Sequence, residues 1–312
     1  MRRLKDYILL FLKGMGMGGA DVIPGVSGGT IAFITGIYSE LLHSIKSIDF
    51  EALKLLFTFK FSAFWKKVNG SFLFAVLAGL LTSMLSLARL MLYFLEHYPI
   101  RTWSFFFGLI LISSPLILRS VRRWNVAAVI IFFIGIAIAY MITVLSPTQT
   151  PEGLWFIFIS GAIAICAMIL PGISGAFILL LLGKYEFIMR SLFEGNLPVI
   201  VVFALGCIIG IISFSWILTW ILDKYHDLAI SLLAGFMLGS LNKVWPWKEI
   251  IAYRMDSEGN QVPALDKSIL PEAYLTTTGN DPMVFQAILF AALGIIIVLG
   301  IEKTAERLKT KI

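Results

Sequence analysis

"GADVIPGVSGGT", residues 19–30, puts an aspartate, a proline, four glycines and two hydroxyl residues into a chain that is otherwise almost wholly apolar. The 312 residues are 59% hydrophobic and 14% charged, with a mean hydropathy of +0.90. Soluble domains are roughly 45–50% apolar and about 25% charged, so the composition predicts an all-α, polytopic membrane protein with no room for a soluble catalytic domain. The net charge of +6 is spread over short basic clusters between apolar runs, the pattern of topology determinants, and nucleic acid is not an expected partner. Cys166 and Cys207 lie in apolar runs without metal-ligand spacing, so no metal and no cofactor is expected. The start, "MRRLKDYILLFLKGMGMGG", has a short apolar core interrupted by Lys13 and no small-residue cleavage site, and is read as mature protein.

Apolar runs at 72–95, 102–118, 125–145, 197–222 and 284–301 are long enough to cross a bilayer, and 228–242 is a shorter sixth. The basic segments are the N-terminus, the 46–67 loop, Arg119 with Arg122 and Arg123, and the tail with Lys303, Arg307, Lys309 and Lys311. By the positive-inside rule all belong in the cytoplasm, whereas loops 146–153 and 246–282 belong outside. These assignments agree only if residues 7–45 form a re-entrant hairpin that enters and leaves on the cytoplasmic side, with its turn near Pro24. Residues 154–192 then form a second hairpin, entered from outside and hinged at Pro171. One straight helix through its 30 uncharged residues would be about 45 Å long, against a hydrocarbon core of about 30 Å. A single tilted helix kinked at Pro171 is the competing reading.

An internal repeat accounts for the opening stretch. At an offset of 147, Ala20/Ala167, Pro24/Pro171, Gly25/Gly172, Ser27/Ser174, Gly28/Gly175, Gly36/Gly183, Tyr38/Tyr185 and Ser44/Ser191 are identical. At an offset of 127, Gly79/Gly206, Ser86/Ser213, Tyr98/Tyr225, Ser104/Ser231, Gly108/Gly235 and Ser113/Ser240 also match. The chain therefore reads as two repeats, 1–150 and 151–312, each a broken-helix hairpin plus three crossings. An odd number of crossings inverts the second against the first, the architecture of alternating-access transporters. Proline and glycine free NH and CO groups that hydrocarbon cannot satisfy, so the breaks must line a cavity. Backbone NH groups at the start of each following half-helix, with the hydroxyls of Ser27, Thr30 and Ser174, suit a phosphate or carboxylate. The competing reading makes PGxSG a kink packed by small residues.

"GMGMGGADVIPGVSGGTIAFITGIYSELL" and "AICAMILPGISGAFILLLLGKYEFI" resemble the paired signatures of the PopT-type undecaprenyl-phosphate translocases, a bacterial membrane family long without a function. The resemblance implies a flippase that returns the polyprenyl-phosphate carrier of cell-wall synthesis from the outer to the cytoplasmic leaflet of the bacterial cytoplasmic membrane, with both termini in the cytoplasm. Its partners would be that lipid, the phospholipid bilayer and a coupling ion, proton or sodium. Signature positions carried over are Asp21, Pro24, Gly25, Ser27, Gly28, Gly29, Thr30 and Tyr38, then Pro171, Gly172, Ser174, Gly175 and Tyr185. The second copy has Ala176 and Phe177 in place of Gly29 and Thr30, so equal roles for the two copies are not expected. The 246–282 loop lies outside the signature.

Asp21 is an intramembrane acid and a candidate for coupling or gating, or else a cap for the NH groups of the turn. Tyr38 and Tyr185 are gating candidates. Arg89 either snorkels to the interface or pairs with phosphate in the cavity. "GVSGG", 25–29, matches a serine-hydrolase elbow but lacks a strand and a histidine partner, and "GMGMGG", 14–19, follows no strand. The GxxxG pairs Gly206/Gly210 and Gly235/Gly239 predict close helix packing. A lipid phosphatase would need a His or Asp nucleophile beside a basic cluster, which the sequence does not display. The chain is therefore not expected to be an enzyme, and a transporter of another small anion is the nearer alternative.

Overall fold

A computed structural model describes residues 2–22, 26–147, 150–151, 153–255 and 261–309. The first half contains α1 (Leu4–Asp21), α2 (Gly28–Ile34), α3 (Tyr38–Lys46), α4 (Phe50–Phe57), α5 (Phe61–Lys67), α6 (Gly70–His97), α7 (Pro99–Leu118) and α8 (Val126–Val144). The second contains α9 (Leu154–Ile169), α10 (Gly175–Leu181), α11 (Tyr185–Glu194), α12 (Leu197–Lys224), α13 (His226–Ser240), strands β1 (Lys248–Met255) and β2 (Gln261–Ser268), α14 (Pro271–Thr278) and α15 (Val284–Lys309).

Five helices, α6, α7, α8, α12 and α15, are long and apolar enough to cross a bilayer. α6 and α12 have 28 residues each, about 42 Å at 1.5 Å per residue. α13, the short sixth run, has only 15 residues and is the most enclosed, because its small side chains admit neighbours on several sides. The chain is a multi-pass membrane protein.

The chain is mostly helical, in keeping with the all-α membrane class, and within the polar stretch 246–282 it adds one antiparallel strand pair: β1 and β2 run with Lys248 opposite Ser268 and Met255 opposite Gln261, and α14 follows. Trp245 donates to the Ile269 carbonyl at 2.8 Å and Trp247 to that of Pro282 at 2.7 Å, which ties the unit together, while the Trp245 ring lies 5.4 Å from Phe107 on α7 and Trp247 packs with Ile100 and Ala287, against the bundle. Each expected two-part hairpin is in fact three helices. Gly36 (φ 73°) and Gly183 (φ 63°) end α2 and α10 in the left-handed region, where glycine carries no Cβ penalty. The single kinked helix over 154–192 is excluded by the same turns.

Four helix pairs dominate the packing, and in each the two helices run parallel. In α1/α6, Gly14 meets Val76 and Gly18 meets Leu80; in α9/α12, Gly206 meets Phe158 and Gly210 meets Ala162. In α7/α15, Gly108 meets Ala291 and Gly294 meets Phe105. In α8/α13, Gly235 meets Phe132 and Gly239 meets Ile136. A Cβ on any of these glycines would overlap backbone of the facing helix, so both GxxxG pairs serve close packing as their spacing predicts.

Polar contacts define the ends of the bundle. At the proximal end, Arg2 bonds Glu40 at 2.5 Å, Glu40 accepts from Asn69, and His43 on α3 faces Asp223 at the end of α12 at 3.8 Å. Asp227 accepts from the NH groups of Arg122 and Arg123, and Arg119 pairs with Glu302. α12 thus ends where α6 begins. At the distal end, Arg101 bonds Gln286 at 2.7 Å and Asn242 bonds Thr143 at 2.8 Å.

Candidate functional site

The two interrupted segments meet. α1 runs inward from the proximal end and α9 inward from the distal end, parallel to α12, and their broken ends join inside the bundle. Ser27 caps α2 by accepting from the Gly29 NH at 3.1 Å. The same hydroxyl donates to the Met168 carbonyl at 2.9 Å, with that of Leu170 at 3.2 Å. Thr30 Oγ1 accepts from the Gly172 NH at 3.0 Å. Leu170 has left the helix and Pro171 begins the break, so these backbone groups have lost their helical partners, and the first break supplies substitutes.

Shape enforces the meeting. A Cβ on Gly29 would overlap the Ile169 carbonyl oxygen, so this glycine is what lets α2 touch the end of α9. Gly172 (φ 86°) needs the left-handed region, and a Cβ there would lie 2.9 Å from both the Met237 Cα and the Phe236 oxygen on α13. Gly175 lies against the Ala164 carbonyl, where a Cβ would come within 2.6 Å. Ser174 caps α10 through the Phe177 NH at 3.5 Å. Ser27, Thr30 and Ser174 are all buried.

Asp21 ends α1 and turns its carboxylate onto α2, with Oδ1 accepting from the Gly28 NH at 2.7 Å. This is the capping arrangement, one of the two roles expected of it. A Cβ on Gly28 would overlap that carboxylate. At the other end of α2, Lys13 donates to the Thr35 carbonyl at 2.7 Å. The short helix is thus held with an acidic side chain at its positive end and a lysine at its negative end, the arrangement that its dipole favours.

The remaining predicted residues are dispersed. Pro24 and Gly25 lie outside the described residues. Tyr38 is buried at the start of α3, 4.8 Å from the Phe33 ring, and its hydroxyl finds no hydrogen-bond partner among the described residues. Tyr185 begins α11 and is half-buried. Arg89 is exposed on the distal half of α6 and forms no ion pair among the described residues. An apolar groove of 460 Å³ runs along α1 and α6 near the proximal end, lined by Tyr7, Phe11, Trp65, Phe74 and Ala78. Among the described residues no cluster of His, Cys, Asp and Glu could hold a metal ion. Sequence reasoning missed the carbonyls of Met168 and Leu170 as partners of the first break, and the proximal contact of α3 with α12. Neither leaves a compositional signal.

The chain matches the family described as undecaprenyl phosphate translocase-like over residues 17–262, a span that includes both breaks. The protein belongs to this family. It is 44% identical over 302 residues to a polyprenyl-phosphate transporter of Vibrio cholerae, covering 97% of this chain and 98% of that protein. A polyprenyl-phosphate transporter of Staphylococcus aureus is 34% identical over 254 residues, covering 75% of this chain and 85% of that one. No solved structure matches the chain. The resemblance carried by the paired PGxSG signatures is therefore correct.

Proposed function

We propose that this family member is a flippase carrying polyprenyl phosphate, undecaprenyl phosphate in the bacterial cytoplasmic membrane, from the outer to the cytoplasmic leaflet. It does so without covalent chemistry, by alternating access of two inverted repeats, 1–150 and 151–312, with both termini and the proximal end in the cytoplasm. The observation that carries this reading is the junction of the two breaks, Ser27 to Met168 and Thr30 to Gly172, inside the bundle. Broken helices meeting at a repeat interface are where transporters hold their substrates. The helix pairs support the same symmetry. Exchanging the halves turns α1/α6 into α9/α12 and α7/α15 into α13/α8, and all four are parallel.

One contact departs from that symmetry. At the proximal end α3 packs on α12, with His43 facing Asp223 and Lys46 lying 5.1 Å over the Trp216 ring. The equivalent pair, α11 and α6, has no comparable packing among the described residues. We assign this arrangement to a state closed toward the cytoplasm and open outward, in which Tyr38 belongs to the closed gate and Tyr185 to the open one. The phosphate binds at the junction through NH and hydroxyl groups of Ser27, Gly28, Gly29, Thr30, Gly172, Ser174 and Gly175, with Pro171 making the second break and Arg89 as a further ligand; in the present state Ser27, Gly28, Gly29, Thr30 and Gly172 bond to one another, to Met168 or to Asp21, and exchange those partners for phosphate when the lipid enters. Asp21 already holds the Gly28 NH, so lipid phosphate and Asp21 compete for it. A proton or sodium ion taken by Asp21 as it lets go would couple ion and lipid movement. The apolar groove along α1 and α6 suits an isoprenoid tail.

The test is the leaflet distribution of labelled undecaprenyl phosphate in proteoliposomes with and without the protein. Label should equilibrate only where the protein is present. Equal slow rates in both would overturn the proposal, and uptake of inorganic phosphate alone would replace it with small-anion transport.

A further inference from the structure

The folded unit between α13 and α15, which the repeat leaves unexplained, brings a second cluster of charge to the second break. Lys243, in the turn after α13, has Nζ 3.4 Å from both carboxylate oxygens of Asp266 on β2. Lys248, the first residue of β1, has Nζ 3.3 Å from Asp266 Oδ1 and 3.2 Å from the Asn242 carbonyl. The lysine side chains are only 17% and 14% exposed. Two ammonium groups thus share one carboxylate in a largely dry place, at distances longer than the roughly 2.7–2.9 Å of a tight charge-assisted bond. Burial pushes the Lys248 ammonium below its ordinary pKa, with neighbouring Lys243 acting the same way and Asp266 opposing. Among the described residues Asp266 is the one carboxylate paired with the two lysines, and a buried cation without a full counter-charge is costly unless a further anion arrives.

Its location says where that anion comes from. Lys243 Nζ lies 4.6 Å over the Phe177 ring, in the first turn of α10 just beyond Ser174. Gly172 of the same break packs against Phe236, Met237 and Ser240, and Ser240 is one turn before Lys243. The lysine pair therefore stands on the distal side of the second break, where the first repeat has the hydroxyl of Thr30 and the second has only an aromatic face.

We propose that Lys243 and Lys248 form a receiving site for a phosphate monoester dianion, the head group of the lipid, and that Asp266 is a resident carboxylate which the phosphate displaces. This rests on the function proposed above and names how its site selects substrate. A phosphate monoester carries about 1.5–2 negative charges near neutral pH. The phosphodiester of an ordinary phospholipid carries one, the same as Asp266. Exchanging one negative charge for one gains nothing electrostatically, whereas two for one does. Asp266 thus excludes the bulk lipids that surround the protein and admits the rare monoester.

The experiment measures binding of a polyprenyl phosphate and of phosphatidylglycerol to the purified full chain, for wild type and for Lys243→Gln, Lys248→Gln and Asp266→Asn, with thermal stability read in parallel. Each lysine variant should weaken monoester binding about tenfold or more, the scale of one lost charge-assisted contact. Asp266→Asn should move the other way, binding the monoester more tightly and gaining phosphatidylglycerol. If Asp266→Asn loses stability and monoester affinity as the lysine variants do, or if the lysine variants bind like wild type, the cluster is a structural ion pair and the inference fails. Displacement of the lipid by inorganic phosphate at equal concentration would assign the cluster to free phosphate instead. The proteoliposome assay run on the same proteins separates the two readings: wild type that moves no monoester sinks the proposed function itself, whereas wild-type transport with variants that bind as wild type does sinks this inference alone.

Discussion

The Gly172 NH donates to Thr30 Oγ1 at 3.0 Å, a hydrogen bond between residues 142 positions apart that ties the second helix break to the first. Both groups are buried, so neither has water as a substitute. Replacing Thr30 by valine keeps the shape and removes the acceptor. An unsatisfied buried NH costs about 1–3 kcal/mol, so Thr30→Val should lower the melting temperature, whereas Thr30→Ser should stay close to wild type. Unchanged melting of Thr30→Val would show that the bond contributes nothing to holding the breaks together.

Gly29 and Gly36 are both glycines of the first hairpin, but alanine should affect them differently. At Gly29 the added Cβ would strike the Ile169 carbonyl and push the breaks apart, so transport should collapse. At Gly36 nothing lies within 4 Å and only the positive φ is strained, at roughly 1–2 kcal/mol. Gly36→Ala should therefore reduce stability and retain most transport. Comparable transport rates for the two variants would count against the junction as the working site.

The contact of α3 with α12 should open and close if access alternates. A short bifunctional thiol reagent joining cysteines placed at His43 and Asp223, with Cys166 and Cys207 removed, should stop transport, and a reducible form should restore it with reductant. Transport that continues through the cross-link would mean that this end never opens.

Arg89 distinguishes a ligand from an interfacial anchor. Arginine can bind phosphate in a bidentate fork, lysine offers a point charge and leucine neither. If the exposed Arg89 meets the head group, Arg89→Lys keeps partial transport and Arg89→Leu loses nearly all, with insertion intact. Full transport by Arg89→Leu would leave the backbone and hydroxyl groups of the breaks as the ligands.

Orientation can be read chemically. In a background without native cysteines, thiols at Ser146 and Asn280 should react with an impermeant reagent applied outside intact cells, and thiols at Lys66 and Lys309 should not. Labelling of Asn280 from the cytoplasm alone would remove the inverted second half.

The sequence by itself determined the helical membrane class, the long spans and the existence of two like breaks, because apolar length, glycine and proline act locally. It also predicted which glycines bring helices close, since GxxxG places small residues on one helix face. Only the tertiary structure decided what the freed groups at the breaks do. Ser27 was legible as a polar residue in an apolar run, but its bond to the Met168 carbonyl depends on α2 meeting the end of α9, and backbone acceptors look the same in every sequence. The pairing of β1 with β2 was hidden because the two strands have both polar and apolar residues and are flanked by Trp245 and Trp247 reaching across to distant carbonyls. Lys243, Lys248 and Asp266 read as ordinary loop charges until the hairpin closes. Their chemistry arises from burial and from the nearness of Phe177, and pairwise distance across the fold is a property of the folded chain rather than of any local stretch.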